Sequence, residues 1–169
     1  MDRYIYYIVQ NVTWKKVLFF TIVCIFLYSL INFSSIGLAG LLKITDGSIV
    51  LDMEFGYNYE KANKILTELG SEGREFYLNK LLPIDFVFPL SYMLFLTVWI
   101  AIFLNYIGFN NWYKYFICLP IFPMLFDWIE NIGIIVMLKN YPNLSEWVVY
   151  GASFATVLKF ISVTVNVVL

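Results

Sequence analysis

Ionisable residues interrupt two otherwise apolar stretches of this sequence. Asp127 and Glu130 lie in the third of four such stretches, and Lys159 lies in the fourth. Ionisable side chains in such surroundings normally face a helix bundle interior and find partners. At 3.6 residues per turn, Asp127, Glu130 and Asn131 share one helix face. We therefore predict that the two carboxyl groups meet the amine of Lys159.

Other polar residues are expected near this meeting point. Asn32 in the first stretch and Tyr92 in the second lie at about the depth of Glu130. Asp85 shares a helix face with Tyr92 and falls near the edge of its stretch. A small and polar stripe follows the Lys159 face of the fourth stretch: Gly151, Ala155, Ser162 and Asn166. The predicted ligand or proton/cation site is a polar cluster of Asn32, Tyr92, Asp127, Glu130, Asn131 and Lys159, with Asp85 at its mouth.

The charges of this predicted cluster do not balance. Two carboxylates and one ammonium leave a negative excess, which low dielectric disfavours, so a bound proton or cation is expected. If Asp127 pairs with Lys159, Glu130 is the expected proton carrier, and the assignment reverses if Glu130 is the partner of Lys159. The alternative is that these polar groups only join helices, at about 0.6 kcal/mol each.

Composition shows what surrounds these residues. The 169 residues are 61% hydrophobic and 14% charged, whereas soluble domains carry about 25% charged residues. Crossing a bilayer takes about 20 apolar helical residues, and the first stretch exceeds the core of a signal peptide. We predict an all-α membrane protein, a four-transmembrane-helix bundle forming one domain (1–169), with spans at about 17–42, 86–107, 115–138 and 147–169.

The loop at 43–85 is predicted to form a short helical extramembrane subdomain between helices 1 and 2. Asn58 is a plausible helix N-cap, and Gly70 is a plausible stop. Ala62, Ile65, Leu66 and Leu69 make one apolar face, which either packs on the bundle or caps a cavity. Elsewhere, Pro120 and Pro123 are expected to kink the third helix, and residues 108–112 are expected to form a turn.

Several classes of function are disfavoured. Histidine is absent, which removes the commonest general base and metal ligand. A net charge of −1 provides no basic field for nucleic acid. Cys24 and Cys118 lie in apolar stretches, as small buried hydrophobic residues do. We therefore expect no nucleic-acid partner, no cofactor and no metal.

The direction of insertion depends on basic residues. The N-terminal side would hold Arg3, Lys15, Lys16 and Lys114, and the opposite side would hold Lys43, Lys61, Lys64, Arg74, Lys80 and Lys139. A plain count of these residues does not favour the N-terminal side as the cytoplasmic one, but the first helix often dominates. Its compact basic flank therefore favours a cytoplasmic N-terminus.

Several motifs resemble those of a family of small bacterial membrane proteins with four spans and a helical loop after the first. They are Phe55-Gly56-Tyr57, Leu69-Gly70, Glu72-Gly73-Arg74 with Tyr77, Asp85 with Phe88-Pro89 and Tyr92, and Asp127 with Glu130-Asn131. The resemblance implies a bacterial plasma membrane location and no particular activity. The architecture is also similar to that of claudin-like proteins, but the loop lacks their cysteine pair.

Three functional hypotheses remain open. The leading one is binding or transport of a small ligand, a lipid headgroup, or a proton or cation at the polar cluster. The second is a structural or accessory subunit, with a membrane protein or a second copy as partner besides membrane lipids. The third is a lipid-modifying enzyme using Asp85, Asp127 and Glu130 as acid, base or magnesium ligands. Against catalysis, the sequence has no nucleophile with a histidine and no glycine-rich phosphate loop.

Overall fold

The computed structural model describes residues 2–107 and 112–168, and these form helices without any strand. The α-helices are α1 (Asp2–Asn11), α2 (Trp14–Phe33), α3 (Leu38–Ile44), α4 (Tyr59–Glu68), α5 (Gly70–Phe76), α6 (Leu82–Asp85), α7 (Phe88–Ile107), α8 (Ile121–Asn140) and α9 (Glu146–Val168). Short 3₁₀ turns cover Leu51–Met53 and Trp112–Cys118, and a π-helical turn, Tyr77–Leu81, joins α5 to α6.

Four helical segments are long and apolar enough to cross a membrane: Trp14–Ile44, Gly70–Ile107, Tyr115–Asn140 and Glu146–Val168. Each overlaps one of the four predicted spans, although the second begins at Gly70 and not near residue 86. The expected turn at residues 108–112 lies mostly outside the described residues, as does Leu169 at the end of the fourth predicted span.

The first predicted span is not one continuous helix. α2 ends at Phe33, and α3 begins only at Leu38. At Gly37 the chain passes so close to the preceding turn that a Cβ would lie 2.1 Å from the Ile31 carbonyl oxygen. Apolar composition alone does not reveal this break, because the residues on both sides are equally hydrophobic.

The third predicted helix also begins later than expected. A 3₁₀ turn occupies its first residues, and Pro120 is the N-cap residue of α8. Pro123 lies in the first turn of α8, where a missing backbone N–H leaves no hydrogen bond unmade. The two prolines therefore start the helix and do not kink its middle.

Neighbouring long helices pack in the order α2, α7, α8 and α9, and α8 with α9 makes the most extensive contact. The close approach of this pair depends on Gly133, where an added Cβ would lie 2.6 Å from the Ala152 Cβ. Gly151 has nothing within 4 Å of such a position. The predicted small-residue stripe is therefore divided, since Gly151 faces outward while Ala155 is buried.

The predicted amphipathic helix of the loop is confirmed as α4. The Asn58 side chain caps it by accepting a hydrogen bond from the Lys61 backbone N–H at 2.8 Å. Gly70 lies just beyond the end of α4 and has a positive φ of 63°. The predicted apolar face is buried in a core shared with α8 and α9, so the subdomain packs on the bundle.

Candidate functional site

The acidic residues of α8 and the lysine of α9 lie together in the bundle. Lys159 Nζ is 2.5 Å from Glu130 Oε2 and 3.8 Å from Asp127 Oδ1. Both carboxyl groups are buried, and Lys159 is nearly so. The predicted meeting of the three side chains is therefore present, but Glu130 and not Asp127 is the closer partner of Lys159.

Glu130 is bound by α9 through both of its oxygens. Its Oε1 accepts a hydrogen bond from Thr156 Oγ1 at 2.6 Å, while Oε2 faces Lys159. Thr156 and Lys159 are three residues apart, so they share one face of α9. Glu130 itself is 0% exposed, and its surroundings fix the carboxyl group in place.

Asp127 connects α8 to α7 at the site. Its Oδ2 accepts a hydrogen bond from the Tyr92 hydroxyl at 3.1 Å, and its Oδ1 accepts one from Asn131 Nδ2 at 3.4 Å. Five of the predicted site residues thus meet where three helices converge: Tyr92, Asp127, Glu130, Asn131 and Lys159.

Asp85, which was predicted to lie at the mouth of the cluster, is buried. It is 8% exposed and close enough to Asn131 for their side chains to interact. Asp127 and Lys159 both act on its charge. The reason is the course of the chain, because α5, the π-helical turn and α6 lead into α7 and bury Asp85 at the end of α6.

Asn32 does not join this group. Its amide donates a hydrogen bond to the Tyr28 carbonyl of its own helix at 2.9 Å, and no hydrogen bond or ion pair among the described residues joins it to the site. The prediction for Asn32 rested on an estimate of its depth alone. Depth does not fix rotation about the helix axis, however, and α2 is apolar on all sides and gives no indication of that rotation.

Sequence reasoning missed a fourth carboxyl group, Asp52. It lies in the 3₁₀ turn Leu51–Met53, where its Oδ1 accepts a hydrogen bond from the buried Tyr77 hydroxyl at 2.6 Å. Its charge interacts with those of four residues described above: Asp85, Asp127, Glu130 and Lys159. We call Asp52, Asp85, Asp127 and Glu130, together with Lys159, the acidic cluster.

Asn131 occupies a central position in the acidic cluster. It is 0% exposed and interacts with both Asp127 and Asp85. Its side-chain oxygen accepts no hydrogen bond from any described residue. A buried acceptor of this kind is normally satisfied, so Asn131 offers a place for a group that carries a donor proton or a positive charge.

Within residues 2–107 and 112–168, no three histidine, cysteine, aspartate or glutamate side chains are grouped as the ligands of a metal ion would be. In the acidic cluster, Asp127 and Glu130 face Lys159, Asp85 interacts with Asn131, and Asp52 accepts its hydrogen bond from Tyr77.

Comparison with known protein families, with curated proteins and with solved structures finds no match to this chain. The fold and the site define its class: an all-helical protein in its described part, with four helices that could span a membrane and a charged cluster between three of them.

Proposed function

We propose that this protein is an integral membrane protein that reversibly binds a proton in the acidic cluster. The observation that carries the proposal is the charge imbalance there, four carboxyl groups beside the single ammonium of Lys159. Carboxylates without a compensating charge cost several kcal/mol in a low-dielectric interior. A bound proton removes part of that cost without moving any helix.

The arrangement favours a proton over a cation held by several ligands. A multivalent cation needs oxygens that converge at ligand distances, and the carboxyl groups of the described residues are spread out instead. A protonated carboxyl can donate a hydrogen bond to a buried acceptor, and the Asn131 oxygen is such an acceptor. Binding of a small monovalent cation is the alternative outcome of the experiment below.

The membrane assignment completes the proposal. Four apolar helices and their exposed aromatic side chains, such as Phe19 and Phe26, suit contact with lipid acyl chains. The basic flank at Lys15 and Lys16 favours a cytoplasmic N-terminus. Protease accessibility of a tag at the N-terminus, in inside-out compared with right-side-out vesicles, tests this orientation.

Proton counting tests the binding proposal. The purified protein in weakly buffered detergent receives a small acid pulse, and an indicator dye reports the protons taken up. We expect the wild type to bind about one more proton per molecule than a variant that combines Asp127→Asn with Glu130→Gln. Glu68→Gln is the control, because Glu68 forms only an exposed ion pair with Lys64 at 3.8 Å.

The outcomes separate three accounts. Equal uptake by the wild type and the double variant would contradict proton binding and favour a purely structural cluster. If sodium or potassium suppresses the extra uptake competitively, the cluster binds that cation as well as the proton. If the double variant is lost from the membrane fraction, Glu130→Gln alone gives the comparison.

A further inference from the structure

The segment Phe55-Gly56-Tyr57 lies against α9 just outside the acidic cluster. The Tyr57 backbone N–H donates a hydrogen bond to Ser153 Oγ at 2.7 Å. Gly56 has a φ of 90°, and a Cβ there would lie 3.0 Å from Val157 Cγ2. Only glycine adopts this conformation readily, so the backbone of the segment is held against one face of α9.

The side chain of Tyr57 points toward the cluster. The residue is only 6% exposed, and its hydroxyl is near Thr156 and within the electrostatic influence of Glu130. Burial, together with the Glu130 charge, raises the pKa of Tyr57 well above its usual value. The hydroxyl therefore keeps its proton, yet it makes no hydrogen bond with any described residue.

Tyr57 also borders an open surface groove on the other side. The groove has a volume of about 710 Å³ and is lined by Gly56, Tyr57, Asn58, Glu60, Lys61 and Lys64. Apart from Gly56, its lining residues carry polar or charged side chains. Lys61 forms an ion pair with Glu54, Nζ to Oε2 at 2.5 Å. Tyr57 therefore lies between a groove that suits water and the site around Glu130.

A second cavity, of about 650 Å³, offers a poorer route. It is mainly apolar, with aromatic walls that include Phe95, Trp99 and Phe103. Neither cavity is lined by a residue of the acidic cluster itself, but only the groove is lined by Tyr57, whose hydroxyl is near Thr156. Water and protons avoid apolar surfaces of this kind, so the polar groove is the better candidate for access.

We propose that the groove beside α4 is the aqueous entrance to the acidic cluster and that the Tyr57 ring is its gate. The inference rests on the proposed function, since it names the route by which a hydrated proton reaches Glu130. Because Ser153 and Gly56 hold the backbone, opening requires rotation of the Tyr57 ring and not displacement of the segment. Thr156 is then the first cluster contact that water meets.

Cysteine accessibility tests the gate. Cys24 and Cys118 are replaced by alanine, and Thr156→Cys supplies a thiol beside Glu130. The protein is reconstituted in vesicles, and a membrane-impermeant methanethiosulfonate reagent is applied from each side. With Tyr57 intact we expect slow labelling. In the Tyr57→Ala background we expect labelling about tenfold faster, from the side that carries residues 43–85.

Two further variants isolate the ring. Tyr57→Phe keeps the ring and loses the hydroxyl, so labelling should remain as slow as with Tyr57. Tyr59→Ala removes a tyrosine two residues away that does not line the groove, and it controls for general loosening of the loop. Tyr57→Leu replaces Tyr57→Ala if the alanine variant does not fold.

Several labelling results would overturn the proposed gate. They are labelling that is unchanged by removal of the ring, labelling raised equally by Tyr59→Ala, and labelling from the opposite side only. Absence of labelling in every background also overturns it, because the cluster is then sealed from the groove. The experiment measures access alone, so it can succeed even if proton counting shows no extra proton.

Discussion

The α2–α7 pair and the α8–α9 pair of helices are held together by different chemistry. Between α2 and α7, the Trp99 indole N–H donates a hydrogen bond to Thr21 Oγ1 at 3.2 Å. The Trp14 and Trp99 rings meet edge to face, with centroids 6.1 Å apart. α7 has no charged residue along its 20 positions, so these two helices pair without any buried ion.

Between α8 and α9, a close apolar contact is already present where Gly133 meets Ala152. The acidic cluster is added to that contact, and two of its carboxyl groups, Asp52 and Asp85, come from outside this pair. The α2–α7 pair therefore associates without charges. The carboxyl groups therefore exceed what helix association requires, which supports a role in binding.

The largest effect is expected from Lys159→Met, which leaves Glu130 and Asp127 without their cation. Breaking a buried ion pair by removing one partner costs about 3–5 kcal/mol. The free energy of unfolding in detergent, measured by denaturant titration, should fall by this amount. Lys16→Met is the control, because the Lys16 ammonium donates to the Asn11 carbonyl at an exposed site and should matter little.

A second substitution sharpens that test. Glu130→Gln combined with Lys159→Met removes the cation and its nearest anion together, so the double variant should be more stable than Lys159→Met alone. If Lys159→Met lowers the free energy of unfolding by less than about 1 kcal/mol, as loss of a surface pair would, Lys159 does not stabilise the buried carboxyl groups and the prediction is contradicted.

A moderate effect is expected from Gly133→Ala. The added Cβ would lie 2.6 Å from the Ala152 Cβ, and overpacking of this kind costs about 1–3 kcal/mol. Gly151→Ala, on the same helix pair but in open space, should instead gain up to about 1 kcal/mol through helix propensity. Thermal unfolding of both variants measures the difference, and shifts of equal sign would contradict the described packing.

The smallest effect is expected in the α2–α7 pair. Trp99→Phe removes the hydrogen bond to Thr21 while keeping an aromatic ring, so stability should fall by about 1 kcal/mol. Trp147→Phe is the control, because Trp147 is 90% exposed and should leave thermal unfolding unchanged. Proton uptake should be normal in both variants, and a loss of uptake in Trp99→Phe would mean that the two helix pairs are coupled.

Local patterns in the sequence predicted the parts of the molecule that local forces determine. Apolar stretches marked the four long helices, and helical spacing brought Asp127 and Glu130 to one face. The break at Gly37 was missed, because it depends on a close backbone contact and not on hydrophobicity.

The rest of the site depends on how distant segments fold onto one another. Asp52 lies in a 3₁₀ turn of the loop, and nothing in its neighbouring residues predicts that it accepts a hydrogen bond from Tyr77. Thr156 is one of several hydroxyl-bearing residues in the apolar stretches, and its spacing alone does not predict its hydrogen bond to Glu130. Asn32 was included because its depth could be estimated from the sequence, whereas the rotation of its helix about the helix axis could not.

Infrared spectroscopy of the carboxyl groups tests the central claim most directly. We expect the wild type to show a protonated carboxyl band that appears and disappears reversibly on titration and shifts in heavy water. That band should change or vanish in at least one of Asp85→Asn, Asp127→Asn and Glu130→Gln, and persist in the Glu68→Gln control. A spectrum in which no such band depends on these three residues would contradict proton binding in the acidic cluster.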